Sequence, residues 1–315
     1  MKKILFIDTV HEALKERLLL AGYVCEERFT ATHDELLANA HEYFGLVLRS
    51  RITLDVQALN AFSNLKFVAR SGSGLENIDV EYAKSKGIVV FNSPEGNSTA
   101  VAEQAVGMLL MLLNNLHKAD REVRDGFWQR EENRGLELEQ LTVGIIGYGV
   151  MGSAFAKRLS GFGCNVIAHD KYKENFGSEH VREVSLKELQ EQADVVSLHL
   201  PQTPETVHYA NAFFFQSFIK NIFLINTARG KNVDTTALVE AMKVGKVAGA
   251  CLDVLEYEKA SLEGLDSDEL PDALQYLIQS PRTVLTPHIA GWTVESYYKL
   301  SSVLADKILA RFGNA

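Results

Sequence analysis

The sequence predicts an α/β protein made of two units, each a parallel sheet with helices on both faces. Three observations carry that prediction. Short apolar, β-branched runs alternate with helical spacing from the first residues onward. The alternation pauses over one long helical stretch and then restarts, which implies two parallel sheets and not one. The length, 315 residues, leaves room for two domains of about 100–200 residues each.

In the first series "KILFID", "GLVLRS", "LKFVAR" and "GIVVF" read as strands, and "HEALKERLLLAG" and "DVQALNAF" as helices. A long helix should follow, roughly Ser98 to Asp125, closed by Gly126. The second series runs "LTVGIIG", "CNVIAHD", "ADVVSLHL", "IFLINTA", "VAGACLDV" and "RTVLTPH", with helices between. The segment "EYEKASLEGLDSDELPDALQYLIQS" is acidic and irregular, and reads as an exposed excursion with a short helix. Val294 to Phe312 has helical spacing and is too short for a domain, so it should pack back on one of the units.

The balance of 32 Lys and Arg against 41 Asp and Glu gives a formal charge of -9. That argues against nucleic acid or an anionic membrane as the main partner, while leaving room for a local basic pocket. Cys25, Cys164 and Cys251 are scattered with no CxxC, the pattern of buried thiols in a reducing compartment. The histidines show no metal-ligand spacing, so no metal is expected. "MKKILFIDTV" is broken by Asp8 and reads as a strand, not a signal peptide. "VGMLLMLLNNL" is too short to span a bilayer. The expectation is a soluble cytoplasmic protein.

The stretch "VGIIGYGVMGSAFAKRL" contains Gly147-Tyr148-Gly149-Val150-Met151-Gly152, a GxGxxG between a strand and an amphipathic helix. The first glycine would allow the tight turn, the second the approach of a pyrophosphate, and the third the helix–strand contact. The helix N-terminus adds unpaired N–H groups and a positive dipole end. This is the Rossmann fingerprint. Asp170 ends the next strand, about 20 residues on, where a carboxylate accepts from ribose hydroxyls and repels a 2′-phosphate. NAD is therefore expected over NADP, although Lys171 and Lys173 follow closely.

Three later strand ends carry polar residues: Arg229 in "LINTARG", Asp253 and Glu258 in "CLDVLEYE", and His288 in "VLTPH". In open α/β sheets ligands bind beyond the carboxyl ends of strands. Oxidising an alcohol needs a base for the hydroxyl proton, and imidazole suits that task. A carboxylate orients the imidazole, and a guanidinium holds a carboxylate bidentately. Arg229, Glu258 and His288 thus form a candidate hydride-transfer set.

The motifs "ARSGSGLENIDV", "NSPEGNSTAVAE", "GIIGYGVMG", "VVSLHLPQTPET", "NTARGKNVD", "GACLDVLEYE" and "LTPHIAGWT" together resemble the D-isomer-specific 2-hydroxyacid dehydrogenases over essentially the whole chain. The resemblance implies that Arg229, Glu258 and His288 are catalytic. It implies two doubly wound domains, Rossmann and flavodoxin-like, with a cleft between them. A discontinuous substrate domain (1–97 plus 292–315) would flank an NAD-binding domain (98–291), through which homodimers form. His199, Leu200, Pro201, Thr206, Thr227, Ala228, Asp253 and Gly291 would join the glycine motif around NAD. Ser71 and Gly72, by their backbone N–H groups, and Asn97 would hold the substrate. One departure is plain: Lys259 follows Glu258 where the family usually has Pro, and the route to His288 is long.

Within the family the resemblance is closest to the branch that oxidises a phosphorylated three-carbon hydroxy acid, on "VLRSRITLD", "NSPEGNS" and "DGFWQR". Arg49, Arg70 and Arg130 match basic positions of that branch, Arg49 and Arg130 being those tied to the distal phosphate. The carboxyl-terminal regulatory domains of some members, and feedback by serine, are not expected. The rivals are a reductase of another 2-oxo acid and, from a different class, an NAD-sensing binding protein of corepressor type.

Overall fold

The computed structural model describes residues 2–258, 270–313 and 315. The chain divides into two compact units, Met1–Asn97 with Trp292–Ala315, and Ser98–Glu258 continuing to Gly291.

In the first unit β1 (Lys3–Phe6), β2 (Val24–Glu27), β3 (Tyr43–Leu48), β4 (Phe67–Arg70) and β5 (Val89–Phe91) form a parallel sheet in the order β2-β1-β3-β4-β5. That is the flavodoxin-like winding. Its interior strands β1, β3 and β4 are apolar on both faces, and the pleat sorts them. Leu5, Leu46, Leu48 and Val68 enter one core; Ile4, Phe6, Val47, Phe67 and Ala69 enter the other. The second face is covered by Leu14 and Leu18 of helix Glu12–Leu20 and by Leu304, Ala305 and Ile308 of helix Val294–Phe312. The last helix therefore packs back on the first unit.

In the second unit β6 (Thr142–Ile146), β7 (Asn165–His169), β8 (Arg182–Glu183), β9 (Val195–Leu198), β10 (Ile222–Asn226), β11 (Val247–Leu252) and β12 (Thr283–Leu285) make a parallel sheet ordered β12-β11-β10-β9-β6-β7-β8. It is the doubly wound Rossmann order with one further strand. Ala105, Leu109 and Leu112 of helix Pro94–Leu113 and Phe155 and Leu159 of helix Val150–Leu159 cover one face.

The long helix expected to reach Asp125 breaks in two. Helix Pro94–Leu113 stops, Asn115 turns left-handed at φ 52, and helix Leu116–Arg124 starts afresh. Asparagine tolerates that conformation, so Asn114-Asn115 is the break and Gly126 ends only the second helix. Two strands lacked a signal in the sequence: β2 and β8 are edge strands carrying Glu26, Glu27 and Arg182, with no apolar run. Residues 259–269 of the acidic excursion lie outside the described residues; the remainder contains helix Asp272–Gln279. No helix of the described residues is long and apolar enough to cross a membrane.

Candidate active site

The order of the seven-stranded sheet reverses between β6 and β9, and ligands of such sheets bind at that switch point. Gly147 leaves β6 at φ +91, where a Cβ would lie 2.5 Å from the His199 carbonyl oxygen. A Cβ on Gly152 would lie 2.1 Å from the Gly147 oxygen. The turn is therefore wedged between the end of β9 and the helix begun by Val150 and Met151. A Cβ on Gly149 would meet nothing within 4 Å, so the backbone at that helix N-terminus stays open to a ligand.

Asp170 follows β7, and its carboxylate accepts from the backbone N–H of Tyr148 (2.7 Å), Tyr172 (2.9 Å) and Lys173 (3.0 Å). Burial alone would raise its carboxyl, but those three amides and the Lys173 charge hold it below the usual range. At the end of β9, His199 Nε2 lies 2.9 Å from the Ser197 hydroxyl, and burial pushes the imidazole down to about 4. Leu200 packs on the core, and the Pro201 carbonyl accepts the Thr206 hydroxyl at 2.6 Å. After β10, Thr227 and Ala228 are buried. Ala228 N–H donates to Asn226 Oδ1 at 3.1 Å, whereas Thr227 Oγ1 is buried with no hydrogen-bond partner.

The three candidate catalytic side chains come from the next strand ends. His288 has φ 55, rare for a residue with a side chain, and its Nδ1 lies 2.7 Å from Glu258 Oε2. A carboxylate only accepts, so Nδ1 carries the proton of this bond, and in the neutral ring Nε2 has the lone pair. The Leu255 N–H donates to the same Glu258 carboxylate, and Glu258 N–H returns to the Leu255 oxygen at 3.2 Å. Gly230 packs so closely there that a Cβ would sit 1.9 Å from the Leu255 oxygen. The Arg229-Gly230 segment thus rests on the very turn that bears Glu258. The Arg229 carbonyl is fixed by Asn226 Nδ2 at 2.9 Å, and its guanidinium donates to the Ala228 oxygen at 2.6 Å.

Asp253, expected beside the nicotinamide, is turned instead to protein donors. It is 1% exposed and accepts from Gln104 Nε2 (2.9 Å), the Thr286 hydroxyl (2.6 Å), Ile289 N–H (2.9 Å) and Ala290 N–H (2.9 Å). Its own carbonyl accepts His288 N–H at 2.7 Å. Asp253 is the anchor of the loop from Thr286 to Ala290, just before Gly291, and so sets where His288 stands.

In the first unit, the Arg49 guanidinium lies over the Trp292 ring, 4.4 Å from its centroid. The Arg49 carbonyl accepts Arg70 Nε at 3.2 Å, and Arg70 lies across Gly72, whose Cβ would meet Arg70 Nη1 at 1.9 Å. Asn97 Oδ1 accepts the Ser73 hydroxyl at 2.8 Å. Arg49, Arg70, Gly72 and Trp292 are thereby one cluster. The Ser71 N–H, expected to hold a carboxylate, donates instead to the Leu48 oxygen at 2.8 Å, because the chain continues the sheet ladder one residue past β4. Arg130 stands on the exposed arm after helix Leu116–Arg124, and among the described residues nothing ties it to the Arg229 turn or the His288 loop.

Residues 106–290 match the NAD binding domain of the D-isomer specific 2-hydroxyacid dehydrogenases. A D-3-phosphoglycerate dehydrogenase of Archaeoglobus fulgidus is 34% identical over 309 residues, 98% of this chain and 56% of that protein. The chain spans about half the length of the phosphoglycerate dehydrogenases it matches. A hydroxypyruvate reductase of Thermotoga maritima is 36% identical over 280 residues, 89% of this chain and 88% of the relative. Among solved structures, a D-lactate dehydrogenase from Aquifex aeolicus complexed with NAD and lactic acid superposes with a TM-score of 0.83 at 29% identity, covering 99% of this chain and 96% of that one.

The chain belongs to the D-isomer specific 2-hydroxyacid dehydrogenase family.

The family's cofactor, NAD, fits the residues present. The open backbone at Gly149, the ionised Asp170 and the orphaned Thr227 hydroxyl are the donor and acceptor set a dinucleotide needs. Gln104, Asn226 and Thr286 escaped the sequence reading, although Gln104 and Thr286 hold Asp253 and Asn226 holds the Arg229 backbone. Gly230 is readable as the turn glycine directly after Arg229. Among the described residues no group of three or more His, Cys, Asp or Glu is arranged to hold a metal ion.

Proposed function

We propose that this chain oxidises a D-2-hydroxy acid to the 2-oxo acid with NAD, and that D-3-phosphoglycerate is the substrate, the first step of serine biosynthesis. The observation that supports the reaction best is the 2.7 Å contact of His288 Nδ1 with Glu258, on a turn packed against Arg229-Gly230. Bound NAD supplies the hydride acceptor. His288 Nε2 takes the hydroxyl proton; Glu258 orients the ring and stabilises the imidazolium that forms. Arg229 binds the acid's carboxylate and polarises the adjacent oxygen.

The phosphorylated substrate is supported by two arginines of one cluster, Arg70 donating from Nε to the Arg49 carbonyl, in a protein of net charge -9. A homodimer through the NAD-binding unit is supported by the arm from Leu116 to Leu136. Its helix Leu116–Arg124 buries no residue, and Phe127 and Trp128 are 58% and 78% exposed. The test is NAD reduction with D-3-phosphoglycerate beside D-glycerate and D-lactate. Preference for the phosphorylated acid by about tenfold or more in kcat/KM sustains the reading. Preference for an unphosphorylated acid assigns another 2-hydroxy acid. No turnover of any, with NADH still bound, assigns a sensor.

A further inference from the structure

Two lysines follow Asp170, and a dinucleotide with a 2′-phosphate ordinarily gains from cations at that place. Each lysine has a partner inside the protein. Lys173 Nζ donates to the Tyr148 carbonyl at 3.1 Å. Lys171 pairs with the Glu205 carboxylate, which also accepts the Tyr172 hydroxyl at 2.5 Å.

Glu205 is not a loose surface acid. It sits on the turn after β9, in "PQTPET", between Thr203 and Thr206. Thr206 is buried; its hydroxyl accepts Thr203 N–H at 2.8 Å and donates to the Pro201 carbonyl at 2.6 Å. The turn that ends β9 therefore delivers a carboxylate to the segment that ends β7, on the adenosine side of the switch point.

We propose that Glu205 is a specificity-determining residue for the cofactor. By engaging Lys171 and Tyr172 it withholds the Lys171 ammonium from a 2′-phosphate. NAD, with a free 2′-hydroxyl, is indifferent to that cation; NADP is not. The proposal rests on NAD as the cofactor of this site.

The test is isothermal titration of the full chain with 2′,5′-ADP and 5′-AMP, alongside NADP and NADH. Lys171 and Glu205 have side chains 63% and 48% exposed, so their pairing is of the weak surface kind and the effect is modest. Glu205→Gln should tighten 2′,5′-ADP by about threefold to tenfold, with 5′-AMP and NADH within about twofold of the parent. Lys171→Ala added to Glu205→Gln should abolish that gain, because the released ammonium is its source. The proposal is overturned if Glu205→Gln leaves the ratio of the two nucleotides unchanged. It is overturned equally if the gain survives loss of Lys171, which would make Glu205 only a distant negative charge. Failure of the cofactor reading itself looks different: the parent would bind neither NADH nor 5′-AMP.

Discussion

Two histidines of the second unit, His208 and His288, share a backbone conformation and a type of partner. His208 has φ 52 and its Nε2 lies 2.6 Å from Glu256; His288 has φ 55 and its Nδ1 lies 2.7 Å from Glu258. Both carboxylates come from one short segment, Leu255–Glu258. Their surroundings differ. Glu256 spends its other oxygen on the N–H (3.1 Å) and hydroxyl (2.8 Å) of Thr235, at the start of helix Thr235–Lys243. The other Glu258 oxygen only closes its own turn, and the His288 loop is held from behind by buried Asp253. An imidazole–carboxylate pair alone is thus no signature of catalysis; the Gly230 turn packed on Leu255 and the loop held by Asp253 set the His288 pair apart. In one pair the acid fastens a helix start. In the other the carboxylate and the loop anchored on Asp253 hold an imidazole at the carboxyl end of β12.

The widest separation between the pairs should appear in turnover. His288→Asn should lower kcat by about 10²–10⁴ with NADH affinity within about twofold, since a general acid–base group contributes that much. His208→Asn should keep kcat within about threefold. Steady-state kinetics with fluorescence titration of NADH reads both, and equal losses would erase the distinction.

The carboxylates should divide the same way with a smaller gap. Glu258→Gln should cost about tenfold to a hundredfold in kcat/KM, the loss of a charge-assisted bond worth roughly 1.5–3 kcal/mol. Glu256→Ala should instead lower stability by about 1–2 kcal/mol, the cost of leaving the Thr235 N–H and hydroxyl without this acceptor, with kcat little changed. Urea unfolding beside kinetics separates the outcomes; a Glu256→Ala variant that is stable but inactive would reverse the assignment.

Which of this was legible in the sequence follows from how far each signal reaches. Apolar runs and their alternation are local, so the parallel strands of both sheet interiors could be read, as could the last helix. β2 and β8 are edge strands with charged residues and give no such run. The helix break at Asn114-Asn115 needed a backbone conformation that asparagine allows but does not require. Glu258 and Glu256 stand two residues apart in one acidic stretch, and only the fold shows that one meets His288 and the other His208. Asp253 could be placed at a strand end, yet its four donors come from Gln104 and the 286–290 loop, which no spacing rule connects.

His199 supplies a third histidine, one without a carboxylate partner. Its imidazole is pushed down to about 4 by burial, so it is neutral in the folded protein. The unfolded chain, near 6.5, binds the proton first as pH falls. Its contribution is complete above about pH 6.5 and is lost progressively toward pH 4, with a slope approaching about 1.4 kcal/mol per pH unit. Asp170, held below the usual carboxylate range, adds its own loss only at more acid pH. His199→Gln should flatten urea midpoints between pH 6.5 and 4. An unchanged slope would mean that water reaches the ring.

The smallest effect makes the sharpest comparison: glycine at each left-handed histidine. A side chain in that conformation costs about 1–2 kcal/mol that glycine does not. Against that relief, glycine raises the entropy of the unfolded chain by roughly 0.5–1 kcal/mol, and the imidazole–carboxylate bond is lost. For His208, whose side chain is 45% exposed, that bond is a surface pair worth no more than about 1 kcal/mol. His208→Gly should therefore unfold within about 1 kcal/mol of the parent and keep its kcat. His288→Gly meets the same backbone terms but loses a less exposed bond, between side chains 24% and 16% exposed. It should be less stable than His208→Gly by no more than about 1–2 kcal/mol, while turnover collapses with the imidazole. Thermal or urea unfolding of both variants checks the first half and kinetics the second. If His288→Gly unfolds far more easily than His208→Gly, the left-handed residue at the end of β12 is holding the fold, and its loss of activity would say nothing about proton transfer.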